Sequence, residues 1–382
     1  MKIVHISDSH LGKKAFSKID PISGLNLREK QIYDNFNKTI KEIIEINPDV
    51  VIHSGDLFDS SRPKLEALDC AMKAFATLYS EGIPIMFASG NHDNPKDYRK
   101  INPIQFLDPE SYGRFAHAES VFDNWGISKF YLVPNQQKSE DYISESNEII
   151  RKSQHYMNLF SVLVTHGLVP GFVPTHAVNE SEIPIEIFDG FDYVALGHVH
   201  HQCKVSENAW YAGSLEYLNY GEINDTKGGL LVELNEGQDM RVSHIDLPHT
   251  PMYDCGAIDC RICSPEDILQ QVIRATADLP EEQDSFMAKL TLVGCKVEVM
   301  AAVTNDESVR KMIDRALDFR VELKTVDKGG SEHCIDYDLD ELDILKEFAA
   351  FSEKNHQPSD SEIEEIVEAG TGVLRIYVED VE

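Results

Sequence analysis

Long apolar runs are missing from this 382-residue chain. No stretch approaches the roughly 18 uncharged residues that a membrane span needs, so no membrane association is expected. The N-terminus also lacks the basic region, apolar core and cleavage site of a secretory signal, and a cytoplasmic, nucleoid-associated protein is the expectation. Cysteine is sparse: seven residues, an odd number, scattered through apolar surroundings, which suits reduced thiols and argues against a disulfide framework. Cys255, Cys260 and Cys263, with Cys295 further on, match the spacing of plant-type iron–sulfur ligands, but residues 253–262 read better as a strand carrying small buried thiols. Basic residues are the third shortage, 35 Lys and Arg against 66 Asp and Glu, a net charge of -31. A general nucleic-acid binder shows a basic footprint, and the chain as a whole has none. Residues 331–382 hold sixteen of the acidic groups against three basic ones. Fields are screened over roughly 8 Å at physiological salt, so such a tail scarcely reaches a distant phosphate site.

What is present begins with alternation. Residues 3–7, 50–54 and 83–89 read as short buried strands. Between them, Ile32, Phe36, Ile40 and Ile43 after Asn26, then Leu65, Leu68, Met72, Phe75 and Tyr79 after Pro63, recur at helical spacing. This is βαβ order. The second helix also carries Ala67, Ala71, Ala74 and Ala76, which suits packing on the sheet or a subunit contact. Strands then come more densely at 130–133, 159–164, 192–196, 210–212, 229–234 and 242–245, with a polar helical insert at 139–156. Three segments are expected: a catalytic domain at 1–247, a strand–helix–strand–helix–strand module at 248–328, and an acidic, amphipathic C-terminal segment at 329–382.

Five strand ends carry ligand-type residues: Asp8-Ser9-His10-Leu11-Gly12, Gly55-Asp56, Gly90-Asn91-His92-Asp93, Thr165-His166-Gly167 and Gly197-His198-Val199-His200. Side chains two apart on a strand share a face, which would aim Asp8 and His10 at one ion. Metal-dependent phosphoester hydrolysis commonly uses two ions roughly 3.5–4 Å apart. A carboxylate offers two oxygens, so Asp56 is the candidate bridge. Asp8, His10 and His200 would complete one site, and Asn91, His166 and His198 the other. Mixed imidazole, carboxylate and amide ligation suits manganese, iron or zinc. His92, beside a ligand without needing to be one, is the candidate acid.

In that order the motifs resemble the calcineurin-like metallophosphoesterase superfamily. More narrowly, Asp8 to Gly12, His53-Ser54-Gly55-Asp56-Leu57-Phe58, Gly197 to His200, and Tyr211-Ala212-Gly213-Ser214 through Tyr220-Gly221-Glu222 resemble the SbcD nucleases and their archaeal and eukaryotic counterpart, the meiotic-recombination-eleven nuclease. The resemblance spans about residues 1–247. It implies an α/β fold, a two-layered αββα sandwich with a smaller α+β capping domain and a C-terminal helical segment. It also implies two manganese ions, with magnesium as a substitute, 3′-to-5′ exonuclease and single-strand or hairpin endonuclease activity on DNA ends in double-strand-break repair, a homodimer, and assembly with an SbcC-type coiled-coil ATPase. One departure is Asp59, where related chains often place a His after Gly-Asp-Leu-Phe.

Two other readings compete: a phosphatase or phosphodiesterase of the same superfamily, and a metal-bound DNA-end scaffold with weak hydrolysis. Phosphatases of the superfamily typically follow Gly-Asp with Asp-Arg-Gly, where this chain has Asp59-Ser60-Ser61. Lys13, Lys14 and Lys18 follow the first motif and Lys96, Arg99 and Lys100 the third, where they would position a phosphate backbone without reading bases.

Overall fold

The computed structural model describes residues 1–95, 100–107, 112–152, 160–172, 181–326 and 332–334. Its compact units are Met1–Gly256 with Val272–Leu290 and Asn305–Arg320, and Ala257–Gln271 with Thr291–Thr304 and the described residues from 321 on.

The first unit opens with β1 (Lys2–Ile6), α1 (Leu27–Ile46), β2 (Val50–His53), α2 (Leu65–Ser80), β3 (Ile85–Ala88) and β4 (Gly113–Ala116). It continues with β5 (Val121–Trp125), β6 (Ser128–Val133), α3 (Ser139–Lys152), β7 (Phe160–His166), β8 (Tyr193–Gly197), β9 (Cys203–Lys204), β10 (Ala209–Tyr211), β11 (Gly229–Glu233) and β12 (Arg241–Ile245). One six-stranded sheet runs β12-β11-β1-β2-β3-β4 and the other β5-β6-β7-β8-β10-β9. In each the central strands are parallel.

Alternation along the strands builds the layers. Ile3, Val50, Ile52 and Met86 face Phe130, Val162, Val164 and Ala195 of the other sheet. Their neighbours Val4, Ile6, Val51, Ile85 and Phe87 turn the opposite way, onto Ile32, Phe36, Ile40, Ala71 and Phe75 of α1 and α2. Tyr142 and Ile149 of α3 cover Tyr131, Leu163 and Val194 on the far face of the second sheet. The result is the expected αββα sandwich. Polar groups enter the seam between sheets only when paired. His5, fully buried, meets Tyr193 Oη at 2.7 Å through Nδ1 and Ser54 Oγ at 2.8 Å through Nε2. Burial, and then the neighbouring His53, push its pKa down to about 3, so this imidazole stays neutral.

α1 starts where Asn26 accepts a hydrogen bond from Glu29 N and stops at Asn47 in left-handed backbone. α2 buries its alanine side, Ala67, Ala71 and Ala74, and leaves Leu65, Met72 and Tyr79 exposed. These three lie seven residues apart, so they form one outward stripe.

Downstream, β13 (Met252–Asp259), β14 (Met287–Val293), β15 (Asp318–Val326) and β16 (Glu332–Cys334) form a four-stranded sheet, and α4 (Pro265–Ala275), α5 (Val297–Thr304) and α6 (Glu307–Arg315) are its helices. The last of these helices, within the strand–helix alternation expected at 248–328, ends at Arg315. Ala316 takes extended backbone there, and β15 begins at Asp318. Beyond 326 only β16 is described, so the acidic amphipathic segments of the tail lie outside the described residues.

Candidate metal centre

The loops leaving the parallel strands are laced together. Asp8 N donates to Gly55 O at 3.0 Å, His10 N to Asp56 O at 3.1 Å and Leu11 N to Leu57 O at 2.8 Å. β1 ends at Ile6, before the first motif, so strand alternation does not aim Asp8 and His10. Left-handed backbone does: φ is 49° at Asp8, 44° at His10, 51° at Asp56 and 109° at His198. Non-glycine residues avoid this region, at a cost of order 1–3 kcal/mol each, and among the described residues four of the seven that adopt it are candidate ligands. Two glycines admit the close approach. A Cβ on Gly90 would lie 2.1 Å from Asp56 Oδ1, and one on Gly197 2.0 Å from Ser54 O.

The loops bring the seven residues together as two groups. Asp8, His10 and His200 form one, and Asp56, His166 and His198 another, with ligand atoms of each group within 4.8 Å of one another. Asn91 joins the second group, its Oδ1 3.0 Å from His166 Nε2 and 3.1 Å from His198 Nδ1. Asp56 stands between the groups: its Oδ2 is 3.8 Å from His10 Nε2 and 3.4 Å from His166 Nε2. Burial alone would raise the pKa of this carboxyl, but His166, then His10 and His92, hold it well below the usual range.

The donor set fits cations. His166 Nδ1 donates to Ser54 O at 2.8 Å, which leaves the Nε2 lone pair facing Asn91 Oδ1, itself an acceptor. Burial opposes a second proton on this ring, yet Asp56 outweighs it and lifts the pKa to about 9. A divalent cation would take that proton's place. His10 Nε2 and His200 Nε2 likewise face each other at 3.3 Å.

Carboxylates orient the first group from behind. His10 Nδ1 lies 3.1 Å from Asp59 Oδ1, and His200 Nδ1 2.9 Å from Glu222 Oε1. Each turns Nε2 towards the centre and makes it more basic. Glu222 also accepts from Leu218 N at 3.0 Å and Asn219 Nδ2 at 2.9 Å, and pairs with the fully buried Lys227 at 2.7 Å. Burial raises the Glu222 pKa, but His200 and Lys227 bring it down to about 2. Glu222→Gln, which keeps shape and removes charge, should weaken binding of one Mn2+ by about 10–100-fold. Isothermal titration with Mn2+ reads this, and two unaltered affinities would contradict it.

Asp93 is no ligand but a clamp. It accepts from Leu57 N, Phe58 N and Gly90 N, so it holds two ligand loops in register. His92 is exposed at the rim, its backbone N 2.9 Å from Asp56 Oδ1 and its Nδ1 2.9 Å from Asp59 O. Its ring lies 4.9 Å from that of His10, and His10, Asp59 and His92 form a third potential ligand group.

The candidate DNA contacts are not gathered in the same way. Lys13 Nζ lies 3.5 Å from Asp59 Oδ1. Lys14 is exposed beside Lys64, which holds its pKa below the ordinary lysine value. Lys18 is spent on Asp284, 2.6 Å away, and on Asp314 O at 2.8 Å. Lys100 is exposed, whereas Lys96 and Arg99 lie outside the described residues. Cys255, Cys260, Cys263 and Cys295 are free thiols, and no cysteine enters a potential metal group among the described residues. The sequence motifs include Glu222 without a role, pass over Lys227, and mark Asp59 only as a departure from pattern.

A family model for calcineurin-like phosphoesterases matches residues 1–202. The chain is similar to the DNA double-strand break repair protein Mre11 of Methanocaldococcus jannaschii, 32% identical over 258 residues that cover 64% of this chain and 66% of that protein. It is 33% identical over 237 residues to the protein of the same name from Methanococcus maripaludis, covering 59% and 60% of the two chains. The chain thus spans less than two thirds of the length of these curated relatives. Among solved structures, a dimetal phosphatase from Danio rerio aligns with a TM-score of 0.39 and 13% identity, covering 64% of this chain and 95% of that one.

Proposed function

Because the chain belongs to the calcineurin-like phosphoesterase family, we propose that it is a metal-dependent DNA nuclease that trims or opens ends at double-strand breaks. The observation that carries the reading is the position of Asp56 Oδ2, within 4 Å of an imidazole nitrogen of each ligand group. Asp8, His10, Asp56 and His200 would hold one ion, and Asp56, Asn91, His166 and His198 the other. Bound divalent cations supply Lewis acidity and a water acidic enough to attack at neutral pH. The donor set suits manganese, iron or zinc, and the family resemblance singles out manganese, with magnesium as a substitute.

The chain's own residues supply the rest. Asp56 would be shared by both ions, and Asp59 and Glu222 fix the tautomers of His10 and His200. His92 donates from Nδ1 to the Asp59 carbonyl, and as the imidazolium it would also donate from Nε2 to a phosphate oxygen or pass that proton to the leaving oxygen. Similarity to proteins named for double-strand break repair supports DNA as the substrate. Lys13, Lys14, Lys96, Arg99 and Lys100 are the proposed backbone contacts.

The remaining assignments follow the same reading: residues 1–247 as nuclease domain, 248–328 as a cap over DNA, and 329–382 as the segment that binds an SbcC-type ATPase. The outward stripe of Leu65, Met72 and Tyr79 on α2 supports a homodimer. Among the described residues no helix is long and apolar enough to cross a membrane, in keeping with a cytoplasmic, nucleoid-associated enzyme.

The test is cleavage of end-labelled hairpin and duplex DNA with Mn2+, Mg2+ or chelator, wild type beside His92→Ala. Metal-dependent cleavage that falls about 10²–10⁴-fold in the variant is expected, the usual worth of a positioned acid. Equal, near-background rates in both would favour the scaffold.

A further inference from the structure

A cavity of about 850 Å³ opens beside the second ligand group, sharing Asn91 with it and lined also by Gly167, which follows His166. We propose that it seats one unpaired nucleoside next to the scissile phosphate, an inference that rests on the nuclease reading above. The volume lies within the range of small-ligand sites and exceeds the needs of a single nucleoside. Asn91 fixes its place, because the amide oxygen at the cavity wall is the one 3.0 Å from His166 Nε2. A phosphate held at that group would therefore direct one of its two nucleosides into the cavity.

The lining says what kind of group is taken. Among the described lining residues Lys100 and Asp141 balance in charge, and most of the rest, His117 aside, are small or neutral amide side chains. An amide pairs a donor with an acceptor, as does the edge of a base. A bare phosphate track would call for more cations, and an apolar peptide for fewer polar atoms.

Some of these amides form the frame. Asn102 Nδ2 donates to Asn94 Oδ1 at 2.6 Å while its Oδ1 accepts from Ile104 N at 2.9 Å. Asn135 Nδ2 donates to His166 O at 3.2 Å, and Gln136 Nε2 to Pro134 O at 2.9 Å. Others are uncommitted: the exposed amides of Gln105 and Gln137 make no hydrogen bond among the described residues. Gln105 sits on the single turn Pro103–Phe106. The Watson–Crick edge of a base is free only when the base is unpaired, so a cavity that encloses the whole base selects a frayed, looped or single-stranded nucleotide at this position.

The test uses the full chain with Mn2+ and two substrate types: the p-nitrophenyl esters of thymidine 5′- and 3′-phosphate, and bis(p-nitrophenyl) phosphate, which has no base. Wild type should favour one thymidine ester over the base-free diester. In Gln105→Ala/Gln137→Ala that preference, as a ratio of kcat/KM, should fall about tenfold, the worth of two neutral hydrogen bonds. A ratio unchanged by the double substitution, or no wild-type preference for either ester, would overturn the inference while hydrolysis of the base-free diester leaves the phosphodiesterase reading standing. Hydrolysis of neither substrate type would remove both.

Discussion

Asp56→Asn should cost DNA cleavage at least about 10³-fold and leave the protein able to bind one Mn2+ tightly instead of two. An amide keeps the shape of the side chain but has one acceptor oxygen and no charge. Asp56 is the residue whose Oδ2 lies 3.8 Å from one ligand group and 3.4 Å from the other. Its Oδ1 accepts from His92 N, so a turned amide would set its NH2 either against that donor or towards the cations. Losing one of two cations removes several kcal/mol of charge stabilisation from the transition state, and each 1.4 kcal/mol is a factor of ten. Mn2+ titration followed by electron paramagnetic resonance reads the stoichiometry directly. Two ions bound at wild-type affinity, with cleavage within tenfold of wild type, would remove Asp56 from the role of bridge.

Arg28→Ala should destabilise the fold by about 3–5 kcal/mol, the range for breaking a buried ion pair from one side. The Arg28 side chain is 2% exposed and Nη2 meets Glu216 Oε2 at 2.9 Å. It also donates to Thr250 Oγ1 at 2.9 Å and Tyr217 O at 2.8 Å, while Asn35 Nδ2 and Thr250 N complete the shell of Glu216. The network ties α1 to the segments after β10 and β12, which are distant in sequence. Truncating Arg28 leaves the Glu216 carboxylate buried beside neutral donors only. Pairing Arg28→Met with Glu216→Gln should recover a large part of the loss, because neither charge is then stranded. Urea denaturation of the two variants beside wild type measures both effects, and a loss below about 1 kcal/mol for Arg28→Ala would show that the pair is not what holds these segments.

The ligand loops were legible because strand, turn and ligand types recur together five times, and the first helix because its apolar spacing begins after Asn26. Other parts had no local signature. Val297–Thr304 alternates Val, Glu, Val and Met, which reads as readily as a strand as the helix it forms. Val121–Trp125 is a half-exposed strand with no clear alternation of burial to mark it. Glu222 lies 22 positions beyond the imidazole it orients, and spacing cannot announce a partner that arrives by tertiary folding. The direction of Asp8 and His10 was inferred from strand geometry, yet it is produced by a left-handed turn, a backbone choice that sequence patterns rarely reveal outside glycine.

The ligands come from both halves of the sandwich: Asp8, His10, Asp56 and Asn91 follow β1, β2 and β3 of one sheet, while His166, His198 and His200 end or follow β7 and β8 of the other. An ion held by both sets works as a rivet through the protein, and its occupancy feeds into stability by mass action. At a hundredfold excess of free ion over Kd, one site alone adds about 2.7 kcal/mol. Metal scarcity would then thin the population of intact molecules as well as slow each of them, so that supply of the ion sets abundance and turnover together.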